Sequence, residues 1–191
     1  DSFREFMGSA DTLDRLAEID AETAAHFAEL YWQRLRQAGI DPAAKTIIDK
    51  QPLNTIKLPL IAKLFPDAKI IFTGRDPRDV VLSCFRRRFQ MNIDMFEFLT
   101  LEGTAAYYDA VMQLGELYRG KLPLNLMVSR HEDLIADFDK QMRAIAAFIG
   151  ISWDEKMRNF ADRAASVATP SAPQLMAGLN SEGAGQWRRY A

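Results

Sequence analysis

The strongest constraint in this sequence is a single strand-to-helix junction. Lys69-Ile70-Ile71-Phe72-Thr73 is a short, apolar, β-branched run, introduced by the turn formers Pro66 and Asp67 and closed by Gly74, which is the pattern of a buried strand. Asp76-Pro77-Arg78-Asp79 follows at once and carries a helix-start signature. Asp76 can accept from the free amides of the first turn, Pro77 suits the first helical position, and Asp79 complements the positive end of the helix. The helix is predicted to run to about Gln90.

Other elements fall on either side of this junction. Apolar residues recur at helical spacing between Asp11 and Gln37 (Ala24, Phe27, Tyr31, Leu35), with Gly39 and Pro42 closing the segment, so a pair of helices is predicted to end near Gly39. Thr46-Ile47-Ile48-Asp49 reads as a further short strand ending in polar residues, followed by the turn-like Lys50-Gln51-Pro52-Leu53-Asn54 and a helix through Phe65. Leu101 to Arg119 reads as an amphipathic helix, Leu124 to Val128 as a third strand, and Phe138 to Ile149 as a helix stopped by Gly150. Ser152-Trp153-Asp154-Glu155 has the spacing of a capping box. Beyond Ala168 the composition turns to Thr, Pro, Ser, Gly and Asn, and loop is expected.

Strands alternating with helices predict parallel pairing through right-handed crossovers, an α/β layered domain. Ligands of such sheets gather at the carboxyl ends of the strands. Attention therefore falls on Asp49 to Asn54, Gly74 to Asp79 and Ser129 to Asp133. The chain has 191 residues, 48% of them hydrophobic, enough for one core. Its 24 basic and 26 acidic residues leave a net charge of −2 without a long block of either sign, which argues against nucleic acid as a partner. The single cysteine, Cys84, excludes a disulfide framework and a cysteine-rich metal site. No run of about 18 apolar residues occurs and no signal peptide opens the chain, so a soluble, cytoplasmic protein without a membrane span is expected. Opening at Asp1 without methionine, it is expected to be a trimmed piece of something longer.

Arg75 stands directly after the best strand, and Ser83 lies about two helical turns past Asp76. A guanidinium and a hydroxyl converging on one point suit a phosphate, the first by a bidentate grip and the second by one more hydrogen bond. Spacing alone leaves a plainer arrangement open, with Arg75 paired to Asp79 and Ser83 packed within its helix. His26 and His131, far apart in the chain, read as ordinary surface residues. Trp32, Trp153 and Trp187 read as packing residues, while Met91, Met95, Phe96 and Phe98 are either core or the wall of an acceptor pocket.

The string Phe65 to Phe72, continuing from Arg75-Asp76-Pro77-Arg78-Asp79 through Ser83 to Phe85, resembles the 3′-phosphate-binding motif of the sulfotransferase family. It looks closest to a bacterial branch often fused to tetratricopeptide repeats. Asp49-Lys50-Gln51-Pro52-Leu53-Asn54 is similar to that branch's Asp-Lys-x-Pro-x-Asn segment, and Thr169-Pro170-Ser171, Gln174, Leu179-Asn180-Ser181, Gly185 and Trp187-Arg188-Arg189-Tyr190 resemble its carboxyl-terminal loop. Three motifs in order span about Thr46 to Tyr190.

The resemblance implies a three-layer, P-loop-like α/β fold with a parallel sheet flanked by helices. It implies one sulfotransferase-like domain over residues 1–191: a helical part to residue 45, an α/β core over 46–168 and a cofactor-closing loop over 169–191. The activity implied is metal-free transfer of a sulfuryl group from 3′-phosphoadenosine-5′-phosphosulfate (PAPS) to a hydroxyl or amine of an unidentified acceptor, in a chain whose parent could carry tetratricopeptide repeats. Arg75 and Ser83 would hold the 3′-phosphate, and backbone amides near Gly183 and Gly185 would close over it. Lys50 would supply positive charge to the reacting end, with Asp49 orienting it or acting as base. The family's Gly-rich 5′-phosphosulfate loop normally precedes the opening helices, yet only the isolated Gly8 and Gly39 precede Thr46; the first strand and that loop are expected to be lacking here. The terminal loop reads Asn180-Ser181-Glu182-Gly183 where relatives place an arginine. The alternatives are an inactive module that binds PAPS or its product, and a P-loop nucleotide kinase relative. The second is disfavoured because Gly-x-x-x-x-Gly-Lys-Ser/Thr does not occur.

Overall fold

A computed structural model of the chain describes residues 12–87, 89, 94–159 and 184–190. Its described residues fall into two compact units, residues 12–68 with 110–125 and residues 69–109 with 126–190.

The first unit is helical. Helix α1 spans Thr12–Glu18 and α2 spans Ala21–Gln37. Asp20 caps α2 by accepting from the Thr23 amide at 2.8 Å. At the other end Gly39 takes φ +77°, and the Gly39 and Ile40 amides donate back to the Arg36 and Leu35 carbonyls. This is a Schellman closure, which favours glycine at the left-handed position. A 3-10 turn over Asn54–Lys57 leads into α3, Leu58–Leu64. Helix α3 packs on α1 and α2, burying Leu58 and Leu60 with Leu16 and Ala24. Tyr31, Trp32 and Phe65 meet edge to face with ring centroids 5.0–5.6 Å apart, a geometry that adds to plain area burial.

The second unit holds the sheet. Strand β1, Lys69–Gly74, pairs in parallel with β2, Asn125–Arg130. Between them in sequence run α4, Pro77–Arg86, a 3-10 turn over Asp94–Leu99, and the long helix α5, Leu101–Lys121, whose first nine residues belong to this unit. After β2 come α6, His131–Ala136, and α7, Phe138–Ile149. Helix α7 packs on α6 and β1, placing Ala146 and Phe72 in the core. Gly150, at φ +83°, ends α7 with the same closure as Gly39: the Ile151 amide donates to the Ala146 carbonyl and the Gly150 amide to Ala147. A 3-10 turn over Gln186–Arg189 packs on α4. This helix-rich α/β arrangement with a parallel pair agrees with the predicted fold class.

Three local expectations are corrected. Residues 46–50 form no strand, and Ile48 is 80% exposed. A β-branched run is a strand only when a neighbour takes up its amides and carbonyls, and none does so among the described residues. Helix α4 stops at Arg86 rather than near Gln90. The turn after Trp153 is capped by Asp154, whose carboxylate accepts from the Lys156 amide at 2.9 Å, so Ser152 is not its cap. The expected loop over residues 169–183 lies outside the described residues.

Candidate functional site

The junction that dominates the sequence also organises the second unit. Asp76 sits between β1 and α4 and is held from three sides. Its carboxylate caps the helix by accepting from the Arg78 amide at 2.9 Å. It also takes a two-pronged grip from the Arg78 guanidinium, at 3.0 Å from Nε and 2.6 Å from the terminal nitrogen. Its own amide donates to Glu132 Oε1 at 2.7 Å, tying the end of β1 to the start of α6. Hydrogen bonds from the Arg78 side chain, with lesser help from the Arg78 and Asp79 amides, hold the Asp76 carboxyl down at about 2. For Glu132, burial alone would raise the carboxyl, but the Asp76 amide, its own amide and the charges of Arg130 and His131 outweigh it and the net shift is downward.

Arg75 is half-buried at the carboxyl end of β1, and Ser83 is half-buried on α4. The positive charge of Arg75 acts in two directions. It reaches the thiol of Cys84, next to Ser83, which burial pushes up while Arg87 and Arg75 pull it down. It also reaches His131, whose pKa falls first through burial and then through Arg75. His131 is thus no ordinary surface residue: its Nδ1 is buried and has no hydrogen-bond partner among the described residues. Sequence reasoning could not see this, because Arg75 and His131 follow different strands, far apart in the sequence.

Asp79 was also undervalued by the sequence. It is 2% exposed, and its carboxylate accepts main-chain hydrogen bonds from Gly185 at 2.6 Å and Trp187 at 3.1 Å. The amide of Gly185, expected to face a phosphate, thus donates to Asp79. Gly183 lies outside the described residues. A shallow pocket of about 220 Å³ is lined by Asp76, Asp79, Glu132 and the segment Ala184, Gly185, Trp187 and Arg188. Three carboxylates against one guanidinium give it the wrong sign for a phosphate.

Within the first unit, Asp49 accepts from the Tyr31 hydroxyl at 3.2 Å and from Asn54 Nδ2 at 3.5 Å. Burial, then the Asp49 charge, pushes the Tyr31 hydroxyl upward. Lys50 is exposed, and among the described residues it forms no ion pair with Asp49. Of the aromatic residues after α4, Phe98 packs between Phe89 and Tyr107 at 5.5 Å from each, whereas Phe96 is 64% exposed. Trp153 is a packing residue, flanked by Phe138 and the Arg143 guanidinium. Among the described residues, no group of His, Cys, Asp and Glu stands where it could hold a metal ion, and no helix is long and apolar enough to cross a membrane.

A parallel β pair whose first strand runs through an arginine into a capped helix gathers polar side chains at its carboxyl ends, where sheets of this kind bind their ligands. The chain belongs to the sulfotransferase family, whose sequence profile matches residues 4–155. It is 26% identical over 155 residues to the omega-hydroxy-beta-dihydromenaquinone-9 sulfotransferase of Mycobacterium tuberculosis, covering 78% of this chain and 38% of that protein. It is 24% identical over 151 residues to protein-tyrosine sulfotransferase A of Caenorhabditis elegans, covering 68% and 39%. It is also 23% identical over 178 residues to an uncharacterized protein of Aquifex aeolicus, covering 93% and 23%. The chain therefore spans well under half the length of each of these relatives.

Proposed function

We propose that the protein transfers a sulfuryl group from PAPS to a hydroxyl or amine of an acceptor, reading the donor's 3′-phosphate with Arg75 and Ser83. The observation that carries this is the placement of Arg75 at the carboxyl end of β1, half-buried, with its charge felt at Cys84 beside Ser83. A planar guanidinium and a hydroxyl are suited to a phosphate monoester. The nearby carboxylates are compensated from within: Asp76 by Arg78, Glu132 by the Asp76 amide and Arg130, and Asp79 by two main-chain amides.

In the transfer the acceptor oxygen or nitrogen forms a bond to sulfur. The bond from sulfur to the 5′-phosphate oxygen breaks, and adenosine 3′,5′-bisphosphate leaves with that electron pair. Charge accumulates on the departing phosphate, so positioned positive charge is the natural catalyst. Lys50 is the candidate for that charge, and Asp49 the candidate for orienting it or taking the acceptor's proton, both on the Asp49 to Asn54 motif alone. A cytoplasmic setting, with Cys84 reduced, belongs to the same reading.

Calorimetric titration with adenosine 3′,5′-bisphosphate, against adenosine 5′-monophosphate as control, tests the proposal. Binding that requires the 3′-phosphate is expected; equal affinity for the two nucleotides would overturn it.

A further inference from the structure

Asp79 presents a problem that helix-capping chemistry does not solve. An acidic residue in the first turn of a helix gains from the dipole while remaining in water, and burying its carboxylate is costly unless strong hydrogen bonds replace the lost solvent. Here the replacements come from residues 106 and 108 positions away, the amides of Gly185 and Trp187. Charge-assisted bonds to main-chain amides are among the stronger ones available.

Other contacts point to the same task. Gly185 has φ +72° and opens the 3-10 turn Gln186–Arg189, a backbone conformation that turns its amide to Asp79 and that other residues adopt only at a cost. The neighbour of Asp79, Arg78, lays its guanidinium 3.7 Å from the centroid of the Trp187 ring while Asp76 grips it from the side. Two consecutive residues of α4 thus hold one short segment, the carboxylate by its amides and the guanidinium by its indole. Ser83 follows Asp79 by four residues, one turn along the same face of α4.

We infer that Asp79 is a positioning residue of the nucleotide site: it fastens residues 184–190 as a strap on the face of α4 that carries Ser83, and nucleotide affinity depends on it although it does not touch the nucleotide. The inference rests on the 3′-phosphate reading above and adds to it the residue that holds the strap.

The test pairs amide hydrogen exchange with calorimetry on the unsubstituted protein and on Asp79→Ala, Asp79→Asn and Trp187→Ala. In Asp79→Ala the amides of Gly185 and Trp187 should exchange at least about tenfold faster while those of α7 keep their protection. Affinity for adenosine 3′,5′-bisphosphate should fall about tenfold, the cost of ordering a loosened segment on binding. Asp79→Asn retains one acceptor oxygen and should fall between. Trp187→Ala leaves the buried carboxylate intact and should also speed Gly185 exchange and weaken binding, which decides the matter if Asp79→Ala does not fold. Unchanged exchange at Gly185 in the folded variants overturns the strap. Faster exchange with unchanged affinity overturns its positioning role. If the unsubstituted protein does not bind the bisphosphate, the 3′-phosphate reading and this role fall together; binding there that survives loss of the strap overturns the role alone.

Discussion

Residues 46–54 and 69–83 look alike on paper: each is a β-branched apolar run that gives way to a polar turn containing a lysine or arginine, then to a helix. In the structure they differ sharply. Phe72 in the second run is 8% exposed and its strand is paired, whereas Ile48 in the first is 80% exposed and its run pairs with no strand among the described residues. The polar residues follow suit. Asp76 and Asp79 are held by contacts of 2.6–3.1 Å, while Asp49 is held by two contacts of 3.2 and 3.5 Å from Tyr31 and Asn54. The lesson is that polar residues are held more closely where the strand before them is paired. Of the two candidate segments, the one after β1 has the shorter contacts.

Substitutions can break or sharpen this contrast. The largest effect is expected from Arg75→Ala, which should weaken adenosine 3′,5′-bisphosphate binding by about 2 kcal/mol, roughly 30-fold, the range for a lost charge-assisted pair. Calorimetry checks this, and unchanged affinity would remove Arg75 from the site. A smaller effect, about 1 kcal/mol or less, is expected on the stability of Asp76→Asn at neutral pH, because asparagine can still cap the helix and what is lost is the charged grip of Arg78. Its pH dependence has a definite sign. The Asp76 carboxyl sits at about 2 when folded against an ordinary 3.8, so its contribution is complete above the ordinary value and is lost as pH falls through the folded one. Urea midpoints of Asp76→Asn and the unsubstituted protein should therefore converge as pH drops from about 4 to about 2; a gap that persists at the acid end would mean packing, not charge, is responsible. The smallest effect is expected from Tyr31→Phe, which removes one long, exposed hydrogen bond to Asp49 and should cost no more than about 0.5 kcal/mol in thermal unfolding. A loss as large as that of Asp76→Asn would erase the contrast between the segments.

What was legible in the sequence was local. The strand Lys69–Gly74, the Asp76 cap with Pro77 at the first helical position, and the glycine closures at Gly39 and Gly150 each depend on neighbours within a few residues. What was not legible depends on distant partners. The contacts of Asp79 come from amides more than 100 positions away, and His131 feels the charge of Arg75, which follows the other strand. The segment Thr46 to Asp49 has strand propensity but no partner among the described residues, and propensity is the weaker term. The run Ser152 to Glu155 offered two possible caps, and the shorter spacing from Asp154 to Lys156 won.

The central claim, that the 3′-phosphate is read at the end of β1, is tested most directly by mapping amide chemical shifts during titration with adenosine 3′,5′-bisphosphate and, separately, adenosine 5′-monophosphate. The account predicts that the difference between the two maps concentrates at Arg75 and along α4 to Ser83 and Cys84. A difference centred elsewhere, or none at these residues, would contradict it.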